Sequence, residues 1–579
     1  MFVAIACNDA PQEPCDAACE SSAPVITWSS YQGAPPRSGW NPEEQRLTPA
    51  TIASDGITIR WRSPPLDSET FDGITYPPHV YASPLWIDEL PQAAGSIRAV
   101  LTATSNGWVY AIAADDRSCR SCGPAPGDIL WRTRVGDAAP VERLDGGMPM
   151  GVLSTPAYDP GTARLYVVAL DRRDGWSAFA LDASDGTVVP GWPVVIDAVS
   201  VESLDRNGPA AMQRPEMIAQ RGALQLSPAG DRLYVTFGSY RGEGVGWIVA
   251  IDTEATRVRA SFSAARSDEL TSNGGMWGAG GPAVDERGEI WLTTGNAPAD
   301  SLRTEGTWGN SLLHLDRELT LLGSYTPFNY CWLDFADMDL AASQPLLLPE
   351  LPGTSTPRTV AFGSKQGNVY LVDRDALTLA AARPECLDDA SRDTSLLPPE
   401  PQPQFGTRGP LNVFGPYSEL YGALDFARMR SRVAHARLGG DSVLFVAGST
   451  KAAADSEVAI GPSLARLHVV TPTGAPAYLE IDGYDDGAVF VNPGSPVVSS
   501  NGDRDAVVWV IDENAPRTAA LLDPATPGPV LYAFDGESLA LLWRSDDGAL
   551  ARGGKYGAPV IAHGVAVVAT DRITAFGPP

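Results

Sequence analysis

Short apolar strands separated by turn residues repeat along the whole chain. Many end on an aromatic or aliphatic residue, then alanine or a similar residue, then aspartate. Eight copies of this anchor occur, at 109–113, 179–182, 249–252, 313–316, 370–373, 467–470, 532–535 and 573–576. Repetition at this spacing predicts an all-β fold built from one recurring unit.

A second signature precedes the anchors, in which a small residue is followed by proline and then by apolar residues. Its copies are at 83–85, 155–157, 281–283, 344–346, 495–497 and 558–560. A proline at the first residue of a strand removes no ladder hydrogen bond. With an apolar strand such as 164–168 between the two signatures, the unit is three strands plus a more variable fourth.

The N-terminal segment 58–62 has the pattern of a fourth strand, as 129–132 and 541–544 do, yet no anchor precedes it. The last repeat, 559–576, has only three strands. We therefore predict that segment 58–62 completes the C-terminal blade and removes its open edge. The predicted fold is an eight-bladed β-propeller of four-stranded antiparallel blades.

The alternative is a string of separate β-sandwiches, which would need linkers between them. The one linker-like run is the proline-rich stretch 398–403, in the longest interval between anchors. We interpret that interval as an insertion at about 387–430 within a single propeller spanning 28–579.

Composition supports this architecture and excludes some functions. The 579 residues include 57 glycines and 50 prolines, which favours tight turns over long helices. A formal charge of −28 argues against a general nucleic-acid binder or a protein that binds anionic membranes through its surface. No segment approaches the ~20 consecutive apolar residues of a membrane-spanning helix.

The first residues form a short apolar run that ends at Cys7 and then turns polar. We interpret 1–27 as a truncated lipoprotein-type signal and a polar linker, with Cys7 acylated. A frayed apolar terminus is the alternative. The first interpretation predicts an exported bacterial protein, periplasmic or on the cell surface, whose membrane contact is made only by the lipid.

Seven cysteines leave six after Cys7 is set aside. These six form three candidate disulfide pairs, which are Cys15 with Cys19, Cys119 with Cys122, and Cys331 with Cys386. A redox dithiol at positions 119 and 122 is the less favoured alternative, because no βαβ pattern surrounds it. No second CxxC or nearby histidine completes a zinc site.

With these repeats, the chain resembles the quinoprotein (pyrroloquinoline quinone) alcohol dehydrogenase-like β-propellers, whose repeat carries Ala-x-Asp and then a tryptophan. The run 274–278 resembles the element whose tryptophan, here Trp277, forms the floor beneath the quinone. The run 293–298 resembles the segment whose asparagine, here Asn296, is a calcium ligand. The run 364–370 resembles the strand whose basic residue, here Lys365, contacts the quinone oxygens.

The resemblance also implies a catalytic aspartate and a second calcium ligand. The catalytic residue would come from the stretch 332–339, where Asp334, Asp337 and Asp339 are alternatives and the last two are favoured. Glu243 would be the second calcium ligand. In such a site the carboxylate takes the alcohol proton and the lysine stabilises charge on the reduced quinone.

Two features separate this chain from the alcohol-oxidising members: it lacks their adjacent cysteine pair, and it has no haem motif. The runs 213–215, 326–329 and 337–340 match more closely a branch of secreted propellers of the same superfamily without an established reaction. We therefore predict a binding or scaffolding module at the cell envelope, with an envelope protein or a small molecule as its partner and no certain cofactor. The alternative is a dehydrogenase of an alcohol or sugar that uses pyrroloquinoline quinone and calcium.

Overall fold

The computed structural model describes most of the chain. The described residues are 24–33, 35–93, 95–114, 124–140, 148–171, 175–214, 217–239, 244–266, 273–298, 301, 303–385, 410–414, 429–449, 463–485, 487–515 and 518–579.

The N-terminal part contributes short elements that lie apart from one another in the fold. They are β1 (Thr27–Trp28), β2 (Trp40–Asn41), α1 (Pro49–Asp55), β3 (Thr58–Arg62), β4 (Glu69–Phe71) and β5 (Ile74–Tyr76). The helix α1 begins at an N-cap threonine, Thr48, whose hydroxyl accepts from the Thr51 amide. Strands β4 and β5 form a separate hairpin.

The remaining strands follow one another blade by blade. Those of the first four blades, with one helix, are β6 (Leu85–Gln92), β7 (Gly95–Ala103), β8 (Trp108–Ala113), β9 (Ile129–Arg134), β10 (Ala157–Asp159), β11 (Arg164–Asp171), β12 (Gly175–Asp182), β13 (Val194–Ile196), α2 (Ala198–Ser203), β14 (Ile218–Ala219), β15 (Gln225–Leu226), β16 (Arg232–Ser239), β17 (Trp247–Asp252), β18 (Arg257–Ser263), β19 (Ala283–Val284), β20 (Ile290–Thr293), β21 (Leu312–Leu315) and β22 (Leu321–Tyr325). Those of the last four blades, with two helices, are α3 (Tyr330–Phe335), β23 (Leu346–Leu347), β24 (Thr359–Gly363), β25 (Asn368–Asp373), β26 (Leu411–Asn412), β27 (Ala434–Leu438), β28 (Asp441–Ala447), β29 (Leu464–Val470), β30 (Tyr478–Asp485), β31 (Val497–Asn501), β32 (Arg504–Asp512), α4 (Thr518–Leu522), β33 (Val530–Asp535), β34 (Leu541–Arg544), β35 (Val560–Ala562), β36 (Val565–Ala569) and β37 (Ile573–Gly577). Two 3₁₀ turns, Leu340–Ala342 and Arg374–Ala376, complete the set.

These strands form eight sheets arranged in a ring, as the sequence predicts. Each predicted anchor falls on the third strand of a blade, from β8 to β37. Innermost strands of neighbouring blades contact one another, as β10 and β15, β15 and β19, β27 and β31, and β31 and β35 do, and the contact of β35 with β6 joins the eighth blade to the first. The eight-bladed fold is therefore confirmed.

The ring is closed by the predicted pairing of the two ends of the chain. Strand β3 pairs antiparallel with β37, with Ile59 opposite Phe576 and Trp61 opposite Ala575. This pairing satisfies the edge of β37 that would otherwise be open to a second chain.

Three blades have five strands rather than the predicted four, and two of these extra strands come from the N-terminal segment. Strand β1 adds to β6, and β2 adds to β31 in parallel, with Trp40 opposite Val498. The third blade gains its extra strand because both β14 and β15 pair with β16.

The N-terminal segment also crosses the centre of the ring. The Arg37 guanidinium donates to the Gln225 Oε1 at 2.7 Å and to the Pro282 carbonyl at 2.8 Å, which belong to the third and fourth blades. Arg432 donates to the Gln32 Oε1 at 2.8 Å. The Tyr31 hydroxyl lies 2.6 Å from the Ser495 Oγ. Residues 31–33 and 35–38 therefore cross the central channel, a feature that the sequence analysis does not predict.

The core lies between the blades, where large side chains interdigitate. Fully buried tryptophans include Trp86, Trp176, Trp247, Trp291 and Trp509. Trp176 of the second blade meets Phe237 of the third edge to face, with ring centroids 6.0 Å apart. Within the described ranges, no helix has the length and apolar character required to cross a bilayer.

Candidate functional site

The candidate site lies at the end of the channel where the innermost strand of each blade begins. In an up-and-down blade, the second strand ends at that same end. Trp277 precedes β19, Asn296 follows β20, and Lys365 lies in the turn between β24 and β25. The topology therefore brings together residues that the sequence analysis took from separate motifs.

Trp277 is half-buried, and small residues fix its backbone. A Cβ added to Gly238 would lie 2.5 Å from the Trp277 Cβ, and one added to Gly278 would lie 2.1 Å from the Ala341 carbonyl oxygen. Side chains at either glycine would therefore displace this segment. The Lys365 Nζ lies 5.2 Å from the centroid of the Trp277 ring, which is a cation–π distance.

Asp337 and Asp339 meet at Lys365. The Lys365 Nζ lies 3.3 Å from the Asp337 Oδ2 and makes a short ion pair with the Asp339 Oδ2. Asn296 binds both aspartates. Its main-chain N–H donates to the Asp339 Oδ1 at 2.8 Å, and its side-chain Nδ2 donates to the Asp337 Oδ1 at 2.6 Å. The predicted residues Asn296, Asp337, Asp339 and Lys365 thus form one connected cluster.

The two carboxylates have different environments. The Asp337 side chain is 40% exposed and the Asp339 side chain 9%. Burial raises the pKa of Asp337, and the Asp339 charge adds to that effect against the opposing Lys365 charge. Burial also acts to raise the pKa of Asp339. The positive charge of Lys365, the hydrogen bond from Lys365 and the hydrogen bond from the Asn296 main-chain amide outweigh burial and bring this pKa below its usual value. The ionised form of Asp339 is therefore favoured beside Lys365, and Asp337 is the carboxyl of the pair that takes up a proton more readily.

Asp334, the third candidate for the catalytic residue, lies behind this cluster. Its carboxylate accepts from the Arg383 Nη1 at 2.8 Å and from the Asn310 Nδ2 at 2.9 Å. Asn310 Nδ2 also donates to the Asn296 Oδ1 at 3.0 Å. Burial raises the pKa of Asp334 to about 6. Asp334 is 2% exposed in its side chain, so it orients Asn296 through Asn310 and does not face the channel end.

Three further residues belong to the site and were missed in the sequence. The Tyr556 ring lies 6.3 Å from the Trp277 ring, and the Arg221 guanidinium lies 5.2 Å from the Trp277 centroid and 5.6 Å from that of Tyr556. The Lys555 Nζ lies 5.4 Å from the Tyr556 centroid. Lys555 is one of only three lysines in the chain, and this rarity is the sequence feature that could have indicated a role in the site.

The aromatic and cationic part of the site fits the quinone that the fold family implies. Trp277 and Tyr556 offer ring faces, and Arg221, Lys365 and Lys555 lie against those rings in a protein of net charge −28. A planar ligand carrying carboxylates is the chemical class that such a set accommodates.

The described residues do not by themselves form a calcium site. The Asn296 Oδ1 accepts from Asn310, and the carboxylate oxygens of Asp337 and Asp339 contact Asn296 or Lys365. Calcium would need oxygen ligands that are not occupied by N–H donors. Over the described ranges, no group of three or more His, Cys, Asp or Glu side chains is arranged to hold a metal ion.

Several predicted residues lie outside the described residues. They are Glu243 and the cysteines Cys7, Cys15, Cys19, Cys119, Cys122 and Cys386. Cys331 is described and takes part in a disulfide bond. The pairing of Cys331 with Cys386, the other two pairs and the lipidation stay predictions.

Comparison with known proteins places the fold. No family model and no curated protein matches the sequence. Among solved structures, the chain is similar to a quinohemoprotein alcohol dehydrogenase from Pseudomonas putida HK5, at 14% identity and a TM-score of 0.57, over 95% of this chain and 80% of that one. The quinohemoprotein alcohol dehydrogenase from Comamonas testosteroni is 14% identical with a TM-score of 0.55, over 97% and 82%.

A europium-containing methanol dehydrogenase is also similar, at 13% identity and a TM-score of 0.52, over 92% of this chain and 87% of that one. Identities this low establish the architecture and leave the activity open. The similarity to these solved structures therefore shows the fold alone, an eight-bladed β-propeller, as the repeats of the chain predict.

Proposed function

We propose that this chain binds a planar quinone carboxylate of the pyrroloquinoline quinone class at the channel end and oxidises an alcohol or sugar hydroxyl there. The observation that carries the proposal is the convergence of Trp277, Asn296, Lys365 and the pair Asp337 and Asp339, which come from distant parts of the sequence. A docking tryptophan between blades does not require such a cluster beside it.

Each protein group has a defined part in binding. Trp277 supplies the face on which the ring system would stack. Lys365 and Arg221, each 5.2 Å from the Trp277 centroid, supply positive charge for its carboxylates and carbonyls. When bound, the quinone would supply the acceptor for the hydride that leaves the alcohol carbon.

Asp337 is the residue that would take the hydroxyl proton. Its side chain is the more exposed of the pair, and burial raises the pKa of its carboxyl toward the working range of a general base. Asn296 Nδ2 holds the Asp337 Oδ1, and Lys365 holds its Oδ2. Asp339 keeps Lys365 charged and in place, so it acts as a positioning residue.

The test is reconstitution of the purified full chain with pyrroloquinoline quinone, with and without calcium. We expect quinone absorbance to remain with the protein after gel filtration, and dye reduction with at least one member of an alcohol and sugar panel. The Trp277→Ala variant should lose the retained quinone. The matched control is Trp543→Ala, a half-buried tryptophan on the outer strand β34.

Two results would overturn the proposal. One is a protein that releases all quinone under both conditions. The other is equal retention by the Trp277→Ala and wild-type proteins, because the quinone would then be bound elsewhere.

A second candidate is an exported binding or scaffolding module, lipid-anchored through Cys7, at the cell envelope. It is supported by the hydrogen bonds that already occupy the oxygens of Asn296, Asp337 and Asp339, since a site that needs no metal would look this way. Mass spectrometry of the mature protein from envelope fractions tests the anchor, and an unmodified Cys7 there would remove it. Retention of an envelope protein or a small molecule without turnover would favour this candidate over the dehydrogenase.

A further inference from the structure

Two buried polar side chains flank the loop before β35, next to the aromatic pair of the candidate site. His79 precedes β6 in the first blade, and Glu513 follows β32 in the seventh. The His79 Nδ1 lies 2.7 Å from the Gly553 carbonyl oxygen. The Gly557 amide donates to the Glu513 carboxyl, and a Cβ on Gly553 would lie 3.4 Å from the Glu513 Oε2. Both side chains are therefore held against the segment 553–557.

Each of these side chains keeps one polar atom without a partner. His79 is 1% exposed and Glu513 2% exposed, and among the described residues neither the His79 Nε2 nor the Glu513 Oε2 has a hydrogen-bond partner. The Ser105 Oγ also has no hydrogen-bond partner among the described residues. The Ser105 main-chain amide donates to the His79 carbonyl at 2.9 Å. A buried polar group without a partner costs about 1–3 kcal/mol, so the unpaired atoms of His79 and Glu513 beside one segment are where a ligand group would add hydrogen bonds.

The pair presents a donor and an acceptor without net charge. Burial raises the pKa of Glu513 well above its usual value, which favours the protonated carboxyl, the form that can donate a hydrogen bond. Burial lowers the pKa of His79, so its ring is neutral. Because a carbonyl can only accept, the His79 Nδ1 carries the proton toward Gly553, and the Nε2 is an acceptor. A hydroxyl group, which both donates and accepts, matches this pair, whereas a metal cation does not.

This location adjoins the proposed quinone site. Tyr556 lies in the same segment 553–557, and its ring is 6.3 Å from that of Trp277. A ligand held by His79 and Glu513 would therefore share the channel end with a ligand stacked on Trp277.

We propose that His79 and Glu513 form a subsite for hydroxyl groups of a neutral polyol or sugar. The subsite itself does not need the quinone. Only the identification of its ligand as the substrate rests on the proposed function.

The experiment measures binding of D-glucose and its single-deoxy analogues to the quinone-free full chain by isothermal titration calorimetry. Losing a hydroxyl that the pair binds leaves both side chains unpaired, so at least one deoxy analogue should bind tenfold or more weakly than D-glucose. Glu513→Ala and His79→Ala should lower D-glucose affinity about tenfold, which corresponds to roughly 1.4 kcal/mol. Glu513→Gln, whose amide also donates, should stay within about threefold of wild type.

The control variant is Glu305→Gln, because Glu305 is exposed and pairs only with Arg266 among the described residues. A thermal melt verifies that each variant is folded. No D-glucose affinity in the wild type, equal affinity for all deoxy analogues, or unchanged affinity in both alanine variants would overturn the subsite. Sugar binding that persists in a protein that binds no quinone would refute the dehydrogenase and leave the subsite intact.

Discussion

The rings of Trp277 and Tyr556 lie 6.3 Å apart at the end of the channel, with an interplanar angle of 50°, although they come from the fourth and eighth blades. The Arg221 guanidinium lies within 5.6 Å of both ring centroids. The site therefore forms only when the ring of blades closes, because its two aromatic side chains belong to different blades.

Gly238 gives a way to perturb Trp277 without changing a site side chain. An alanine at this position places its Cβ against the Trp277 Cβ, which lies 2.5 Å from the added atom. We expect Gly238→Ala to shift the tryptophan emission spectrum of the protein, because Trp277 moves. We also expect it to weaken ligand binding by tenfold or more. Gly487→Ala is the control, since its Cβ would approach no atom closer than 3.5 Å. Identical spectra and affinities in the two variants would contradict this geometry.

The two aspartates should respond differently to removal of their charge. Asp337→Asn should leave quinone binding and stability close to wild type and reduce turnover by at least 10²-fold, because a proton acceptor is lost. Asp339→Asn should instead lower stability by about 3–5 kcal/mol, because Lys365 loses its most buried counter-ion. Urea denaturation and dye-reduction rates measured on both variants separate the roles. A stability loss in Asp337→Asn as large as that in Asp339→Asn would refute the assignment.

Closure of the ring should depend on Phe576. This side chain is 2% exposed, its residue is paired with Ile59 of β3, and its ring lies 5.5 Å from Trp543. Phe576→Ala should cost about 3–5 kcal/mol of unfolding free energy. It should also speed hydrogen exchange in β3. The exposed control Val199→Ala, at a position 80% exposed, should change neither quantity. Unchanged exchange in β3 of a destabilised Phe576→Ala protein would contradict a role in closure.

Part of the loss of folding stability at low pH should come from His435. Burial lowers the pKa of His435 to about 4, whereas the unfolded chain has a histidine pKa of about 6.5. The unfolded state therefore binds the proton first, and stability falls as the pH drops from about 6.5 to 4, by up to about 3 kcal/mol. His435→Gln should show a flatter pH dependence in that window, measured by urea denaturation at several pH values. Parallel curves for the two proteins would refute the assignment.

The blade count and the closure could be predicted because they depend on local patterns. The strand Thr58–Arg62 has a fourth-strand pattern without an anchor, and the last repeat lacks that strand, so their pairing follows from the need to satisfy an edge. The crossing of the channel by Arg37 could not be predicted in this way. Its partners in distant blades are the Gln225 Oε1 and the Pro282 carbonyl oxygen, which leave no periodic signal in the sequence.

The candidate site could be predicted only in part, for a similar reason. Trp277, Asn296 and Lys365 lie in motifs that the resemblance identifies, whereas Arg221 and Tyr556 reach the site through the circular order of the blades. The choice among the aspartates depends on exposure, and spacing alone does not give it. Asp334 becomes a supporting residue only because Arg383 and Asn310 enclose it.

The crossing of the channel by residues 31–33 and 35–38 sets an order of events during synthesis. These residues leave the ribosome before their partners, which include Ser495 and the Tyr556 carbonyl of the seventh and eighth blades. Strands β2 and β3 likewise cannot pair until β31 and β37 have been synthesised. This segment of the nascent chain therefore stays without its final contacts until the seventh and eighth blades have been made, so the ring closes late.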